Sequence, residues 1–346
     1  MHIPENYLSP ATCALMTAAM VPVWSHAVRK VNKELPKEQV PMLGVGAAFS
    51  FLGMMFNVPL VGGTTGHAVG GTLLALLFGP DGACIAVSIA LLLQALLFGD
   101  GGILSFGANC FNMAFVLPYA GYGIFRLLQK LAGKDAGKAE IAKGSKFTYV
   151  AAALGAYTGL NGAALCTAVE FGLQPMLFRD GAGHALYCPY DLSVSVPAMM
   201  IPHLTVAGVV EALFTVAVYS YVCKTAPGLL FQEQEKGKEL SSGKSLFPVF
   251  ALIAVLIAAT PLGLLAAGTA WGEWGAEEIA QVVTGGRVLG YTPKGLSEGF
   301  SMRVIMPDYS LSGVNEAAAY VLSAIIGVAL LIIIFKLFSI PMRGKK

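Results

Sequence analysis

The chain begins MHIPENYLSP, and its first two residues make a chelating unit. A free Met1 amine, the backbone amide nitrogen of His2 and a His2 ring nitrogen close fused five- and six-membered rings around one ion. Three nitrogens then share a plane, the metal having displaced the amide proton. A square-planar nitrogen set suits Ni(II) or Cu(II). A fourth ligand is required to complete it. Pro4 has no backbone N–H to donate and stiffens the chain after the chelate. This end has no basic stretch, no apolar run directly after one and no small-x-small cleavage pattern, so it does not read as a removed leader. The bulky His2 is expected to protect the initiator Met from removal. Met-His alone is a weak signal, because any gene with a histidine second codon has it.

His67 gives the chelate a partner. It lies in GGTTGHAVGG, inside an apolar stretch, and an imidazole at lipid depth is a functional hypothesis by default. Gly62, Gly66 and Gly70 flank it four residues apart. On a helix they would make one smooth face that another backbone can approach closely. A terminal peptide tucked there would reach His67. The competing reading has the glycines serve helix packing and His67 sit as a hydrogen-bonded core residue.

These residues must be carried by a membrane protein. Of 346 residues, 56% are hydrophobic and only 12% charged, with mean hydropathy +0.69. Soluble domains carry about 25% charged residues. The composition excludes an ordinary cytosolic enzyme, a disordered chain and a nucleic-acid binder. The 41 glycines fit closely packed transmembrane helices. Apolar segments fall near 8–27, 42–58, 67–79, 83–98, 109–128, 147–168, 196–222, 247–268 and 319–338. A span needs roughly 20 residues, and several of these segments are shorter or interrupted by glycine. The fold class expected is therefore all-α and polytopic: a seven-helix body and two C-terminal transmembrane helices. The stretch 56–72 reads as a broken helix or a re-entrant loop, tolerated only where protein or a watery cavity covers it. The body is 1–224. A polar, turn-rich linker covers 225–246, and a two-span region with a long loop covers 247–346.

Lysine and arginine set the orientation. With nine spans, eighteen of the 22 fall on one side: the stretches 29–37, 126–146 and 224–244, and the C-terminal tail. That side is taken as cytoplasmic, which puts the N-terminus outside and the C-terminus inside. The outer side then holds eleven acids against Arg179, Arg287, Lys294 and Arg303. An acidic outer face concentrates cations, although outer loops are also simply poor in basic residues under the insertion rule.

The remaining polar residues are weaker candidates. His26 reads as interfacial and His184 as a solvated loop residue. His203 and Glu211 are eight apart, about 12 Å of helix rise, which is too far to share an ion. They read as packing or coupling residues. The amides Gln94, Asn109 and Asn112 must find partners at lipid depth, either on the terminal loop or between helices. Cys13, Cys84, Cys110, Cys166, Cys188 and Cys223 form no CxxC pair and suggest neither a disulfide framework nor zinc. HExxH and GxxxxGK[ST] are both absent, so an energised transporter would need a separate ATPase.

MHIPENYLSP, GGTTGHAVGG, LLLQALLFGDGGILSFGANCFNM and PHLTVAGVVEALFT resemble the CbiM/NikM family over about residues 1–225. Its members are substrate-binding membrane subunits of energy-coupling factor transporters for cobalt and nickel. The resemblance implies that the Met1 amine, the His2 amide and ring, and the His67 ring bind Ni(2+) or Co(2+) as transported substrate. It also implies a seven-span body whose N-terminus inserts from outside a prokaryotic cell membrane, and a polar network around that terminus. Its partners would be a transmembrane coupling subunit and ATP-binding subunits. Residues 245–346, with TPLGLLAAGTAWGEWGAEE, resemble the CbiN/NikN- or PDGLE-type auxiliary component, which assists metal loading. The rival expectation is an intramembrane metal enzyme using His67, His203 and Glu211.

Overall fold

A computed structural model describes residues 1–35, 40–135, 145–231, 246–266, 268–284 and 287–342. Most of the expected linker, 225–246, lies outside the described residues. So do Lys37, Lys138, Lys143, Lys236, Lys238, Lys244, Arg343, Lys345 and Lys346. The long apolar runs are helices, the form in which a backbone satisfies its own polar groups in hydrocarbon. They are α1 (Pro10–Glu34), α2 (Val40–Met55), α3 (Gly71–Leu93), α4 (Phe106–Asn109), α5 (Leu117–Asp135), α6 (Lys146–Leu177), α7 (Leu192–Pro202) and α8 (Gly208–Thr225). The C-terminal region adds α9 (Phe247–Ala259), the short α10 (Lys294–Glu298) and α11 (Glu316–Met342). Among the described residues, five helical stretches are long and apolar enough to cross a membrane: Pro10–Glu34, Gly71–Phe98, Leu192–Thr225, Phe247–Leu265 and Glu316–Ser339. The protein is an all-α polytopic membrane protein.

Local chemistry sets the helix ends and breaks. Ser9, Ser145 and Asp191 cap α1, α6 and α7 through their side-chain oxygens, and Pro10 sits where a missing N–H is harmless. At Gly79 the backbone turns to φ 76°, ψ 163° just before Pro80. Continuous helix cannot pass a glycine in that conformation, so α3 is two helical pieces. The break lies between the apolar segments 67–79 and 83–98. Three π-turns follow helices, at Gln94–Phe98, Cys110–Val116 and His203–Ala207.

One sequence expectation is corrected here. Gly62, Gly66 and Gly70 do not form a helix face. Val58–Leu60 (β1) and Thr64–Gly66 (β2) pair as an antiparallel hairpin, with Gly62 at φ 93° and Gly63 at φ 77° in its turn. Left-handed backbone is nearly free for glycine and strained for other residues. The loop alternative for 56–72 is the one adopted.

Glycines do close the helix packing elsewhere. A Cβ on Gly155 would lie 2.5 Å from the Gly121 carbonyl oxygen, and one on Gly159 would lie 2.5 Å from that of Leu117. Real side chains never come that close, so α5 and α6 require glycine where they touch. The C-terminal α11 lies along α2. The Tyr320 hydroxyl donates to the Met55 carbonyl at 2.9 Å, and a Cβ on Gly327 would meet the Phe51 ring at 2.3 Å. The two-span region therefore packs into the body.

Candidate metal centre

The first ten residues run through the fold as a clamped strap. Asn109 holds Ile3 on both backbone sides: its Oδ1 accepts the Ile3 N–H at 2.8 Å and its Nδ2 donates to the Ile3 carbonyl at 3.0 Å. The Gly102 N–H donates to the same carbonyl at 2.9 Å. Glu5 accepts the N–H groups of Ile103 at 2.7 Å and Leu104 at 3.1 Å. Burial raises the Glu5 carboxyl above its ordinary range, and these two donors pull it back. Further along, the Ser9 N–H donates to Gln174 Oε1 at 2.9 Å, and the Cys188 N–H donates to the Tyr7 carbonyl at 3.0 Å. Ile3, Tyr7 and Leu8 are buried. With so many fixed points, the positions of Met1 and His2 are built by the fold.

The strap brings His2 to His67. Their ring centroids lie 5.0 Å apart with planes at 77°. Two imidazoles bound cis to one ion, with metal–nitrogen bonds of about 2 Å, have centroids roughly 4.5 Å apart. His67 Nδ1 lies 3.2 Å from the Ala68 carbonyl oxygen; as donor there, the ring keeps its lone pair on Nε2. His2 Nδ1, the nitrogen that closes the six-membered chelate ring, faces Asp100 Oδ1. His2 Nε2 is buried with no hydrogen-bond partner among the described residues. Met1 and His2 are only 5% and 2% exposed. A cleft lined by Met1, Thr64, Thr65, His203 and Trp271 reaches this end of the strap.

Behind the nitrogens stand carboxylates. Asp100 accepts from the Tyr309 hydroxyl and, at 3.1 Å, from Gln94 Nε2. Burial works against a charge on Asp100, but the His2 imidazole beside it, the His67 ring and the Tyr309 hydroxyl hold its carboxyl well below the usual range. The Met1 amine donates to Glu273 Oε1 at 3.0 Å. Tyr309 and Glu273 both come from the C-terminal region, so it meets the Met1 amine directly and the His2 side through Asp100. Nothing in the spacing of the sequence points to Asp100, Tyr309 or Glu273, because these contacts span up to 272 positions.

His67 itself is held from α8. Glu211 is fully buried, and its carboxylate accepts the Val69 N–H at 2.7 Å and the Gly70 N–H at 3.0 Å. The Ser50 hydroxyl donates to the Val69 carbonyl at 2.7 Å. Gly70 enters α3 at φ 72°. A carboxylate at a helix N-terminus meets unpaired N–H groups and the positive end of the dipole.

The other expected residues separate cleanly. Asn109 serves the strap. Gln94 serves Asp100, and also pairs with the Tyr309 hydroxyl at 2.9 Å. Asn112 is interhelical, donating to Thr167 Oγ1 and Glu170 Oε2. His184 is 55% exposed and stacks on Tyr291. His26 is exposed at the opposite end of α1, beside Asp81. None of the six cysteines forms a disulfide. The enzyme alternative fails on geometry. Glu211 spends its oxygens on backbone N–H groups, and His203 Nδ1 is bound to the Met199 carbonyl at 2.7 Å. His67, His203 and Glu211 do not converge as a metal–base set.

Comparison with known proteins agrees. Residues 2–229 match CbiM, the cobalt uptake substrate-specific transmembrane region, and residues 245–343 match the PDGLE domain. A relative from Lactiplantibacillus plantarum, named probable fused nickel transport protein LarMN, is 46% identical over 97% of both chains. The fused nickel transport protein NikMN of Rhodobacter capsulatus is 44% identical over 96% of this chain and 95% of that one. A crystal structure of a truncated transition metal transporter shares 54% identity at TM-score 0.59, covering 65% of this chain and 99% of that chain. These relatives are transport proteins and not enzymes. With its terminal strap, its paired imidazoles and these likenesses, the chain belongs to the CbiM family, as a membrane component of nickel or cobalt uptake that carries a PDGLE region.

Proposed function

We propose that this chain is the substrate-specificity subunit of an ATP-driven uptake transporter of the energy-coupling factor type. It takes Ni(2+) or Co(2+) from outside the cell. Its ligands are the Met1 amine, the His2 amide nitrogen and Nδ1, and His67 Nε2. One observation carries this reading: a strap with many fixed points holds the His2 and His67 rings 5.0 Å apart, with the terminal amine buried beside them. Three of the four nitrogens belong to one short chelate and the fourth to a fixed turn. The dense nitrogen field suits late divalent ions over Mg(2+) or Ca(2+), which prefer oxygen.

The family resemblance supplies the partners: a transmembrane coupling subunit and a separate ATP-binding subunit. The chain itself has no phosphate-binding loop in its sequence. The basic residues favour an N-terminus outside and a C-terminus in the cytoplasm. Both nearly full-length relatives are named for nickel, which makes nickel the first ion to test. Isothermal titration of purified protein with a native N-terminus is the decisive experiment. One tight nickel site, lost on acetylation of the amine and on His67→Ala, is the expected result. Tight binding that survives both changes would overturn the ligand set.

A further inference from the structure

The PDGLE region supplies the most open donor in contact with the ligand set. Glu273 Oε1 lies 3.0 Å from the Met1 amine, and its side chain is 25% exposed while the Met1 side chain is 2% exposed. Among the described residues that amine is its single side-chain partner. Asp100, the other carboxylate beside the chelate, already faces His2, Tyr309 and Gln94. Glu273 thus has both access to water and unused lone pairs.

Its place is built rather than incidental. The Glu273 N–H closes a turn on the Ala270 carbonyl at 3.0 Å, and Gly272 within that turn has φ 82°. A Cβ on Gly272 would come within 2.7 Å of the Phe171 ring, so the turn lies directly on α6. Trp271 packs on Phe171 and Tyr190, and Trp274 on Tyr190. The Tyr7 hydroxyl donates to the Trp274 carbonyl at 2.7 Å. Aromatic contacts and a strap hydrogen bond therefore aim the carboxylate at the amine.

We propose that Glu273 is the first protein ligand of the incoming ion. Its carboxylate replaces a water on the hydrated divalent cation at the mouth of the site. The Met1 ammonium gives up one proton to water, and the free amine then displaces the carboxylate across a hydrogen-bond distance. Each step exchanges one donor for another, with no change in oxidation state. Oxygen ligands bind these ions more weakly than imidazole or amide nitrogen, so the carboxylate lets go. A metal-bound amine keeps two N–H groups, one of which can return to Glu273 afterwards. This inference rests on the nitrogen site proposed above.

The test is stopped-flow binding of Ni(2+) to the full chain with a native N-terminus, beside equilibrium titration of the same samples. Four proteins are compared: wild type, Glu273→Gln, Glu273→Asp and Asp308→Asn. Asp308 is the neighbouring acid: burial and then the charges of Asp100 and Glu273 raise its carboxyl. Expected is an association rate about tenfold lower for Glu273→Gln, largely restored in Glu273→Asp, with equilibrium affinity nearly unchanged. Equal rates for wild type and Glu273→Gln would overturn the proposal. An equal slowing by Asp308→Asn would assign the effect to diffuse charge instead of ligation, and also overturn it. A Glu273→Gln affinity loss as large as that of His67→Ala would make Glu273 a permanent ligand. Failure of wild type to bind nickel would instead sink the nitrogen site, a separate outcome.

Discussion

The carboxylate of Glu211 and the amide of Val69 meet over 2.7 Å, 142 positions apart in sequence. This bond, with its neighbour at Gly70, joins α8 to the turn immediately after His67. Movement of α8 along its axis would therefore be felt at the fourth nitrogen. Charge-assisted bonds to a buried carboxylate contribute about 1.5–3 kcal/mol each. Glu211→Gln keeps the shape but removes the charge and turns a donor toward two donors. Nickel affinity is expected to fall about 10–100-fold, as for other residues that orient a ligand. Titration calorimetry, with a thermal melt of the metal-free protein, reads both effects. An unchanged affinity would show that the turn holds His67 without its carboxylate.

The terminal amine gives the second prediction. Its only route into a fused chelate is as a free nitrogen beside the His2 amide. An N-terminal tag or acetyl group is expected to abolish tight nickel binding while leaving the melting temperature of the metal-free protein within a few degrees. Stoichiometric tight binding by the tagged protein would refute the assignment.

The histidines differ in kind. His67→Ala removes one of the four proposed nitrogens, and affinity should fall about a thousandfold, beyond the roughly 10–100-fold that an outer partner is worth. His184→Ala should do little, since that ring lies 55% exposed against Tyr291 in a loop. Similar losses from both variants would erase the distinction between site and loop.

Acid should weaken capture. Metal binding needs the amine and imidazoles free of protons and displaces a further proton from the His2 amide, so protons compete with the ion. Apparent nickel affinity is expected to drop by at least about tenfold per pH unit below roughly pH 8, where the terminal amine becomes mostly charged. Titrations at stepped pH check this. A flat profile between about pH 7 and 5 would exclude an imidazole–amine set.

Deleting 245–346 tests the C-terminal region in cells. The truncation removes Glu273 from Met1 and Tyr309 from Asp100 but no nitrogen ligand. Uptake of radioactive nickel is expected to fall, while the affinity of the purified body changes less than it does in His67→Ala. If uptake is untouched, the region is dispensable. If affinity collapses, the ligand set is incomplete.

Much of this protein was decided locally, and the sequence alone determined that part. Hydrocarbon forces apolar runs into helices, so composition and run length were enough for an all-α membrane fold. Met1 and His2 could be read as a chelating pair because they are covalent neighbours and their ring sizes follow from bond counting; that they hold an ion is our proposal. His67 stood out as an imidazole where lipid depth makes one costly. Other features depended on contacts between distant segments. The spacing of Gly62, Gly66 and Gly70 fitted a helix as well as a hairpin; positive φ at Gly62, Gly63 and Gly70 decided for turns. The amides Asn109 and Asn112 looked alike in sequence, yet one grips Ile3 and the other bridges to α6. Only tertiary structure could bring Glu211 to Val69, Tyr309 to Asp100 and Glu273 to Met1. A hydrogen bond between residues some hundred or more positions apart leaves no periodicity in either segment, because each residue answers to a partner its own neighbours never meet.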